Sequence, residues 1–369
     1  MSKSVAILGA GNGGLAAAAD LSLRGHEARL FSRSEATLAP IRARGGIALE
    51  GAAGTAHVEV SLLTTDLGTA VEGADLVMMV VPSTAIESYA ARLASCLQPG
   101  QPIFLNPGGT GGALTLVASL RRAGFTGELN VCEGSTLTYA CRADESRSGV
   151  RISNVSPRVP FAAFPGRCAE DLRALVGELY PAVDLKHSVL ETGLANLNAI
   201  EHPAQALLNT GWIEHTRGDF YFYRDGTTPG VGRVIDAVDR ERLELAEAMG
   251  VKADPFVDIF CSAGYTTAEA AATGSAYEAL QASEANWLFR SPPSLDHRYV
   301  HEDVGHGLVP WAMWARLVGV STPTIDGLIT LGSVVNGRDY LRDGLTLERM
   351  GLDAVEPDQL ESFLYGGGA

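Results

Sequence analysis

The apolar positions at the start of the chain follow the pattern of a buried strand, a turn and a helix. Residues 5–8 are continuously apolar, as in a strand of a parallel sheet covered on both faces. Residues 15–24 are rich in Ala and Leu and stop at Gly25. The turn between them contains three glycines in the spacing G-x-G-x-x-G. This pattern predicts the first strand and helix of a dinucleotide-binding unit.

Each glycine of this turn has a steric task. Gly9 permits the tight turn, Gly11 lets the backbone approach a pyrophosphate, and Gly14 lets the helix pack on the strand. The free N–H groups at the start of the helix, next to Asn12 and Gly13, attract the anion. We expect all five residues to bind a cofactor; the alternative is a strand-to-helix turn that binds nothing.

The alternation of strand and helix continues through the first half of the chain. Strands are predicted at residues 26–31, 75–81, 102–105, 129–132 and 159–164, and a helix at 168–179. Pro82 and Asn106 follow two of these strands, at the carboxyl edge of the sheet where ligands of such folds bind. We expect both residues to contact the cofactor.

The pattern changes near Asp184. From Ser188 onward apolar residues recur at helical spacing and few strand signals remain. The prediction is an α/β fold with two domains: a Rossmann domain with a doubly wound parallel sheet over residues 1–185, and an all-helical domain over residues 186–369.

Composition excludes several classes of partner. The formal net charge of -15 repels nucleic acid and anionic membranes, and the apolar runs are too short to span a bilayer. The five cysteines are scattered and lack a C-x-x-C pair, which is typical of reduced thiols in a cytoplasmic protein. We expect a cytoplasmic protein with neither nucleic acid nor membrane as a partner.

The end of the second predicted strand bears on cofactor choice. NAD-specific folds usually place an acidic residue there, whereas this chain has Ser32, Arg33 and Ser34. A guanidinium with flanking hydroxyls suits a 2'-phosphate, so NADP(H) is the preferred cofactor. Alternatively Arg33 stacks on the adenine or faces solvent, and Glu35 keeps NAD(H) open.

The first long helix of the second domain carries Asn198 and His202, four residues apart and therefore on one face. We expect both to meet the same ligand. Pro203 lacks an N–H donor, so the regular helix is expected to kink or end beside His202. A core histidine with an ordinary hydrogen bond is the alternative.

A second polar cluster, residues 296–304, includes His297, Arg298, His301 and Asp303. It is open to three interpretations: a solvated charged face, a zinc site with His306 nearby, or part of an active site in which Asp303 orients a histidine and Arg298 clamps a carboxylate. Without cysteine ligands we expect no metal.

With these residues in view, the chain resembles the opine dehydrogenases over nearly its whole length. The resemblance is carried by five ordered segments: ILGAGNGGLA from Ile7, NPGGTGGAL from Asn106, NLNAIEHP from Asn196, RYVHEDVGHGLVP from Arg298, and VSTPTIDGLI from Val320.

That family condenses an amino acid with an α-keto acid such as pyruvate and reduces the resulting imine with NAD(P)H. The resemblance implies that His202 is the catalytic histidine, that Asp303 is its carboxylate partner, and that Arg298 binds substrate. Glu133, Ser135 and Arg142 lie in a segment of similar appearance, and one of them is open to a substrate contact, but they receive no individual role.

Two other functions compete with this interpretation. Dehydrogenases of the ketopantoate reductase or 6-phosphogluconate dehydrogenase type use a lysine, and neither Lys3, Lys186 nor Lys252 has the expected asparagine a turn away. A regulator that senses NADP without chemistry would place no demand on His202. Separately, the segment GLVPWAMWARL, with two tryptophans, is expected to pack in the core; the alternative is a contact in a homodimer.

Overall fold

A computed structural model describes residues 2–367 of the chain. Their contacts divide them into two compact units. The first comprises the described residues up to Thr192 together with those from Glu361 onward, and the second is Gly193–Leu360.

The first unit is built on an eight-stranded sheet with the order β12-β11-β8-β7-β6-β1-β2-β5. Its strands are β1 (Ser4–Leu8), β2 (Glu27–Phe31), β5 (Leu62–Thr64), β6 (Leu76–Met79), β7 (Pro102–Leu105), β8 (Asn130–Gly134), β11 (Val159–Phe164) and β12 (Val183–Leu185). All neighbouring pairs are parallel except β8 and β11. From β1 the sheet is built outward to both sides, through β2 and β5 on one side and through β6, β7 and β8 on the other. This doubly wound order confirms the predicted Rossmann fold.

Strand β1 lies at the switch point of this sheet. Ile7 pairs with Leu30 of β2 on one side and with Met78 of β6 on the other. Its apolar side chains are fully buried, which agrees with the continuous apolar run in the sequence. The crevice at the carboxyl end of such a strand is the usual ligand site of this fold.

A second, four-stranded sheet in the first unit has the order β4-β3-β10-β9. None of its four strands is among those predicted from the apolar pattern. Its strands are β3 (Ile47–Gly51), β4 (Ala56–Val58), β9 (Tyr139–Ala143) and β10 (Gly149–Val155). Strand β3 pairs in parallel with β10, about a hundred residues later, and local apolar pattern carries no signal of such distant pairing.

Helices connect the strands of the first unit. They are α1 (Asn12–Leu23), α2 (Glu35–Arg44), α3 (Leu67–Val71), α4 (Ile86–Leu93), α5 (Gly112–Arg122) and α6 (Ala169–Leu179), with 3-10 turns at Ser83–Ala85 and Gly166–Cys168.

The second unit is helical, as predicted, and its described residues contain no strand beyond one isolated bridge between Tyr221 and Arg290. The helices that follow β12 are α7 (Val189–Leu194), α8 (Leu197–Leu208), α9 (Thr210–Thr216), α10 (Pro229–Ala248), α11 (Phe256–Ser262), α12 (Ala268–Ala271), α13 (Ala276–Gln281), α14 (Arg298–His301), α15 (Val309–Val318), α16 (Pro323–Asn336), α17 (Tyr340–Asp343), α18 (Leu347–Met350) and α19 (Leu360–Gly366). Short 3-10 turns occur at Glu284–Asn286 and Pro357–Gln359, and a π-helix at Val304–Leu308.

Two packing details bear on the predictions. Trp311 and Trp314 are fully buried, so the segment GLVPWAMWARL packs in the helical core. Its tryptophans are therefore not available for the homodimer contact that was the alternative. Within residues 2–367, no helix combines the length and apolarity needed to cross a membrane.

The contact grouping places the boundary after Thr192 instead of at residue 185, and it assigns the described residues from Glu361 onward to the first unit. Helix α19 returns to the first unit, where the Phe363 ring lies 5.4 Å from that of Phe164.

Candidate active site

The glycine turn after β1 has the tight geometry that its sequence predicts. Gly9 has a φ of +113°, and a Cβ there would overlap the carbonyl oxygen of Val80, at the end of the neighbouring strand β6. A Cβ at Gly14 would overlap the carbonyl oxygen of Gly9. Only glycine fits at these two positions, because backbone atoms occupy the space.

The turn also fits a dinucleotide. Gly11 is the N-cap of α1, supplies no side-chain cap, and has open space where a Cβ would project. The first N–H groups of a helix have no intrahelical partner and favour an anion. The Asn12 side chain is used elsewhere, since its Oδ1 accepts a hydrogen bond of 3.2 Å from the Ala143 N–H. These residues would hold a nicotinamide cofactor, which supplies hydride when bound.

The residues expected to select the cofactor lie at the end of β2. Ser32 is buried, and its Oγ accepts a hydrogen bond of 3.2 Å from the Ser34 N–H. Arg33 is exposed, with its guanidinium carbon 5.6 Å from the ring centroid of Tyr89. Glu35 forms an ion pair of 2.9 Å with Arg42. The Glu35 carboxylate, which was the reason to retain NAD(H) as an alternative cofactor, is therefore paired with Arg42.

The two loop residues predicted to contact the cofactor differ in exposure. Pro82 is exposed and caps the turn at Ser83–Ala85. Asn106 is fully buried, and its amide both donates to the Thr138 hydroxyl at 3.0 Å and accepts from the Thr138 N–H at 3.1 Å. The Asn106 side chain thus holds the segment before β9.

Beneath the glycine-rich segment that follows Asn106 lies Glu133. It is fully buried, accepts a hydrogen bond of 2.7 Å from the Ala113 N–H at the start of α5, and accepts another of 2.5 Å from the Thr192 hydroxyl. Burial raises the pKa of Glu133 to about 7. A Cβ at Gly108 would collide with this side chain, so Glu133 supports the loop.

In the second unit His202 lies in the middle of α8. The helix runs through Pro203 to Leu208, so the expectation that it ends beside His202 is wrong. Pro203 removes one donor from the helix, and neighbouring helices pack around both residues, which are buried. Tertiary packing here outweighs the cost of one missing hydrogen bond.

Both ring nitrogens of His202 have partners. Nδ1 lies 2.7 Å from Oδ2 of Asp303, and Nε2 lies 2.7 Å from the hydroxyl of Tyr223. The ring of Tyr299 stacks on the imidazole at a centroid distance of 3.9 Å. With Asp303 ionised, Nδ1 donates to the carboxylate and Nε2 accepts from the tyrosine, which fixes one tautomer.

A π-helix brings Asp303 to His202. Asp303 immediately precedes the π-helical segment Val304–Leu308, an irregularity often found at functional sites. Gly307 in that segment lies so close to α8 that a Cβ there would be 2.7 Å from the Cβ of Ala199. The glycine thus permits the close approach that closes the His202–Asp303 hydrogen bond.

A second carboxylate lies beside the same histidine. Glu201 is buried, and its Oε1 is 3.8 Å from Nε2 of His202. Burial raises the pKa of Glu201 to about 7, and the Asp303 charge adds to this effect while His202 opposes it. Burial likewise raises the pKa of the Tyr223 hydroxyl.

Comparison with known proteins places the chain in a family. Residues 185–336 match the family described as NAD/NADP octopine/nopaline dehydrogenase, alpha-helical domain, and residues 4–109 match the N-terminus of NAD-dependent glycerol-3-phosphate dehydrogenase. The opine dehydrogenase of Arthrobacter sp. (strain 1C) is 37% identical over 356 residues, which cover 96% of each chain. The chain belongs to the opine dehydrogenase family.

Solved structures of opine dehydrogenases share the fold. Octopine dehydrogenase bound to NADH and L-arginine superposes with a TM-score of 0.78 at 20% identity and covers 98% of each chain. Yersinopine dehydrogenase bound to NADP+ gives 0.76 at 15% identity, covering 99% of this chain and 98% of that one. As an opine dehydrogenase, this chain is an NAD(P)-dependent oxidoreductase acting on CH–NH bonds, and it reductively condenses an amino acid with an α-keto acid.

The other residues that the sequence singled out in this opine dehydrogenase are less enclosed. Arg298 begins α14 and forms an ion pair of 3.0 Å with Glu302, with 57% of its side chain exposed. Asn198 is exposed, one helical turn before His202. His301 is hydrogen-bonded to Tyr340 and Asp296. In the part of the chain that the structure describes, no three His, Cys, Asp or Glu side chains are placed so that they could hold a metal ion.

Three members of the His202 cluster received no role at the histidine from the sequence: Glu201, Tyr223 and Tyr299. Glu201 and Tyr299 stand next to His202 and Arg298 in segments already singled out, so proximity in sequence was an available signal. Tyr223 was indistinguishable from other aromatic residues, because only the fold brings it to Nε2.

Proposed function

We propose that this opine dehydrogenase condenses an amino acid with pyruvate, prefers NADPH, and uses His202 as its general acid and base. The observation that carries the proposal is the buried hydrogen bond of 2.7 Å between His202 and Asp303. Arg298 is assigned to the keto acid carboxylate and Asn198 to the substrate as well. Two groups of residues are assigned to the cofactor. They are the glycine turn (Gly9, Gly11, Asn12, Gly13 and Gly14) and four residues that follow other strands (Ser32, Arg33, Pro82 and Asn106).

The reaction explains why such a histidine is needed. The carbonyl oxygen of the keto acid must take up a proton as nitrogen attacks, and must leave as water before the imine carbon is reduced. An imidazole exchanges protons near neutral pH, and a buried carboxylate stabilises its charged form. Asp303 is placed for this because it engages Nδ1, which leaves Nε2 to serve the reacting oxygen once the Tyr223 hydroxyl gives way.

The test is oxidation of NADPH, followed at 340 nm, with pyruvate and a panel of amino acids, and identification of products by mass spectrometry. We expect a secondary amine bearing two carboxylates from at least one pair. Tight NADPH binding without turnover for any pair would support the cofactor-sensing alternative.

Arg298→Ala is expected to raise the KM for pyruvate about 30-fold and to leave the KM for NADPH within about twofold, because an arginine–carboxylate pair contributes roughly 2 kcal/mol. Arg298→Lys should recover only part of this loss, since lysine cannot form the bidentate pair. Initial rates at varied pyruvate measure both. An unchanged KM for pyruvate in Arg298→Ala would remove this residue from the site.

Arg33→Ala is expected to raise the KM for NADPH about tenfold and to leave that for NADH unchanged, because the guanidinium is assigned to the 2'-phosphate. The Arg33 guanidinium lies over the Tyr89 ring and is open to solvent, so an incoming 2'-phosphate can reach it. Arg92→Ala is the matched control, since its guanidinium lies over the Phe31 ring at 5.2 Å. The same preference for NADPH in wild type and Arg33→Ala would contradict the proposal.

A cytoplasmic location forms part of the proposal. It is supported by five free cysteines, one of them fully buried. Titration of thiols on protein purified without reductant and then denatured, so that the buried thiol also reacts, should count five.

A further inference from the structure

One buried carboxylate differs from the others in its hydrogen bonding. Of the six in the described residues, five accept hydrogen bonds from the chain: Asp20, Glu133, Asp239, Glu241 and Asp303. The sixth is Glu201, whose Oε2 is buried and lacks a hydrogen-bond partner anywhere in residues 2–367. A buried polar atom without a partner is costly and points to a catalytic role or to a missing ligand.

The surroundings of Glu201 contain acids and hydroxyls. The titratable groups that interact with it are His202, Tyr223, Tyr265, Tyr299 and Asp303. Helix α10, which packs on α8, contributes the buried Arg242, but that guanidinium is bonded to Asp239 and to the carbonyl oxygens of Leu194 and Asp254. Among the described groups that interact with Glu201, the imidazole of His202 is therefore the one that can carry a positive charge.

We propose that Glu201 binds the amino group of the amino donor and removes its proton, an inference that rests on the proposed function. An amino acid carries an ammonium group at neutral pH, and its nitrogen has no lone pair until a proton leaves. A carboxylate with a free oxygen, beside the histidine that serves the carbonyl oxygen, supplies both a counter-charge and a base. Glu201 thus serves nitrogen while His202 serves oxygen.

The protons balance under this division. Glu201 takes one proton from the ammonium group, and the free amine forms the C–N bond with the carbonyl carbon. Glu201 passes this proton to Nε2 of His202, 3.8 Å away, and His202 gives it to the carbonyl oxygen, so that both groups regain their starting state. The nitrogen loses a second proton as the C=N bond forms, and His202 carries that proton to the same oxygen, which leaves as water. The iminium carbon accepts hydride, and no other oxidant or reductant is required.

The test is the pH dependence of kcat/KM for the amino donor in Glu201→Gln. Glutamine keeps the shape of the side chain but cannot take the proton, so only the free amine reacts. We expect kcat/KM at pH 7 to fall about a hundredfold or more, since about 1% or less of the amine is free at that pH, and to rise tenfold per pH unit toward the pKa of the amine, approaching wild type there. The KM values for pyruvate and NADPH should stay within about twofold. Glu201→Asp, which keeps a carboxylate, should retain the wild-type pH profile at a lower rate.

Glu241→Gln is the matched control. Glu241 is a buried glutamate of the same unit whose oxygens accept hydrogen bonds from the Thr324 and Ile325 N–H groups. Its loss should lower thermal stability and leave the pH profile unchanged. The inference is overturned if kcat/KM of Glu201→Gln has the wild-type pH profile or falls equally at every pH. In that case turnover by the wild-type enzyme still supports the proposed function. Absence of turnover in wild type itself would instead reject that function.

Discussion

His202→Ala is expected to lower kcat about a hundredfold or more, while NADPH binds almost as tightly as to wild type. The magnitude follows from the usual contribution of a positioned acid and base, about 10²- to 10⁴-fold. NADPH affinity should persist because the cofactor is assigned to the glycine turn of the first unit, whereas His202 lies in α8 of the second. Single-turnover rates and a fluorescence titration with NADPH measure the two quantities separately.

His301→Ala is the control for this variant. His301 belongs to the same unit and is also hydrogen-bonded on both ring nitrogens, to Tyr340 and Asp296. It should cost some stability without lowering kcat by more than about twofold. Equal activity of His202→Ala and wild type would remove the proposed acid and base. A comparable loss of kcat in His301→Ala would instead favour another interpretation of residues 296–304, such as the zinc site.

The sequence predicted those parts of the fold that depend on local pattern. The apolar run of β1, the glycine spacing before α1 and the change to helical periodicity are each visible within about twenty residues. The pairing of β3 with β10 is not, because it joins segments about a hundred residues apart and short strands with mixed faces resemble loops.

The active site divides in the same way. His202 and Asp303 could be paired because the resemblance supplies both, although they are 101 residues apart. The orphaned oxygen of Glu201 is a property of packing: whether a buried carboxylate finds a donor depends on side chains from several helices. Likewise, the continuation of α8 through Pro203 is decided by the helices around it and not by the proline.

Gly14→Ala and Gly11→Ala are expected to fail in different ways, which separates the structural task of the glycine turn from its binding task. A Cβ at Gly14 would overlap the carbonyl oxygen of Gly9, which is backbone and cannot rotate away. We expect a loss of about 3 kcal/mol in the free energy of unfolding, the upper end for an overpacked site. At Gly11 the added Cβ meets nothing within 4 Å, and a φ of -81° suits alanine.

Gly11→Ala should therefore fold with a midpoint temperature close to wild type, apart from the weaker N-cap preference of alanine, about 1 kcal/mol or less. Its methyl group occupies the space through which a pyrophosphate would approach the N-terminus of α1. Losing one or two charge-assisted hydrogen bonds weakens NADPH binding about 10- to 100-fold. Thermal denaturation and a binding titration on both variants measure these effects. Wild-type NADPH affinity in Gly11→Ala would mean that the turn only joins β1 to α1, since its open space would then have no occupant.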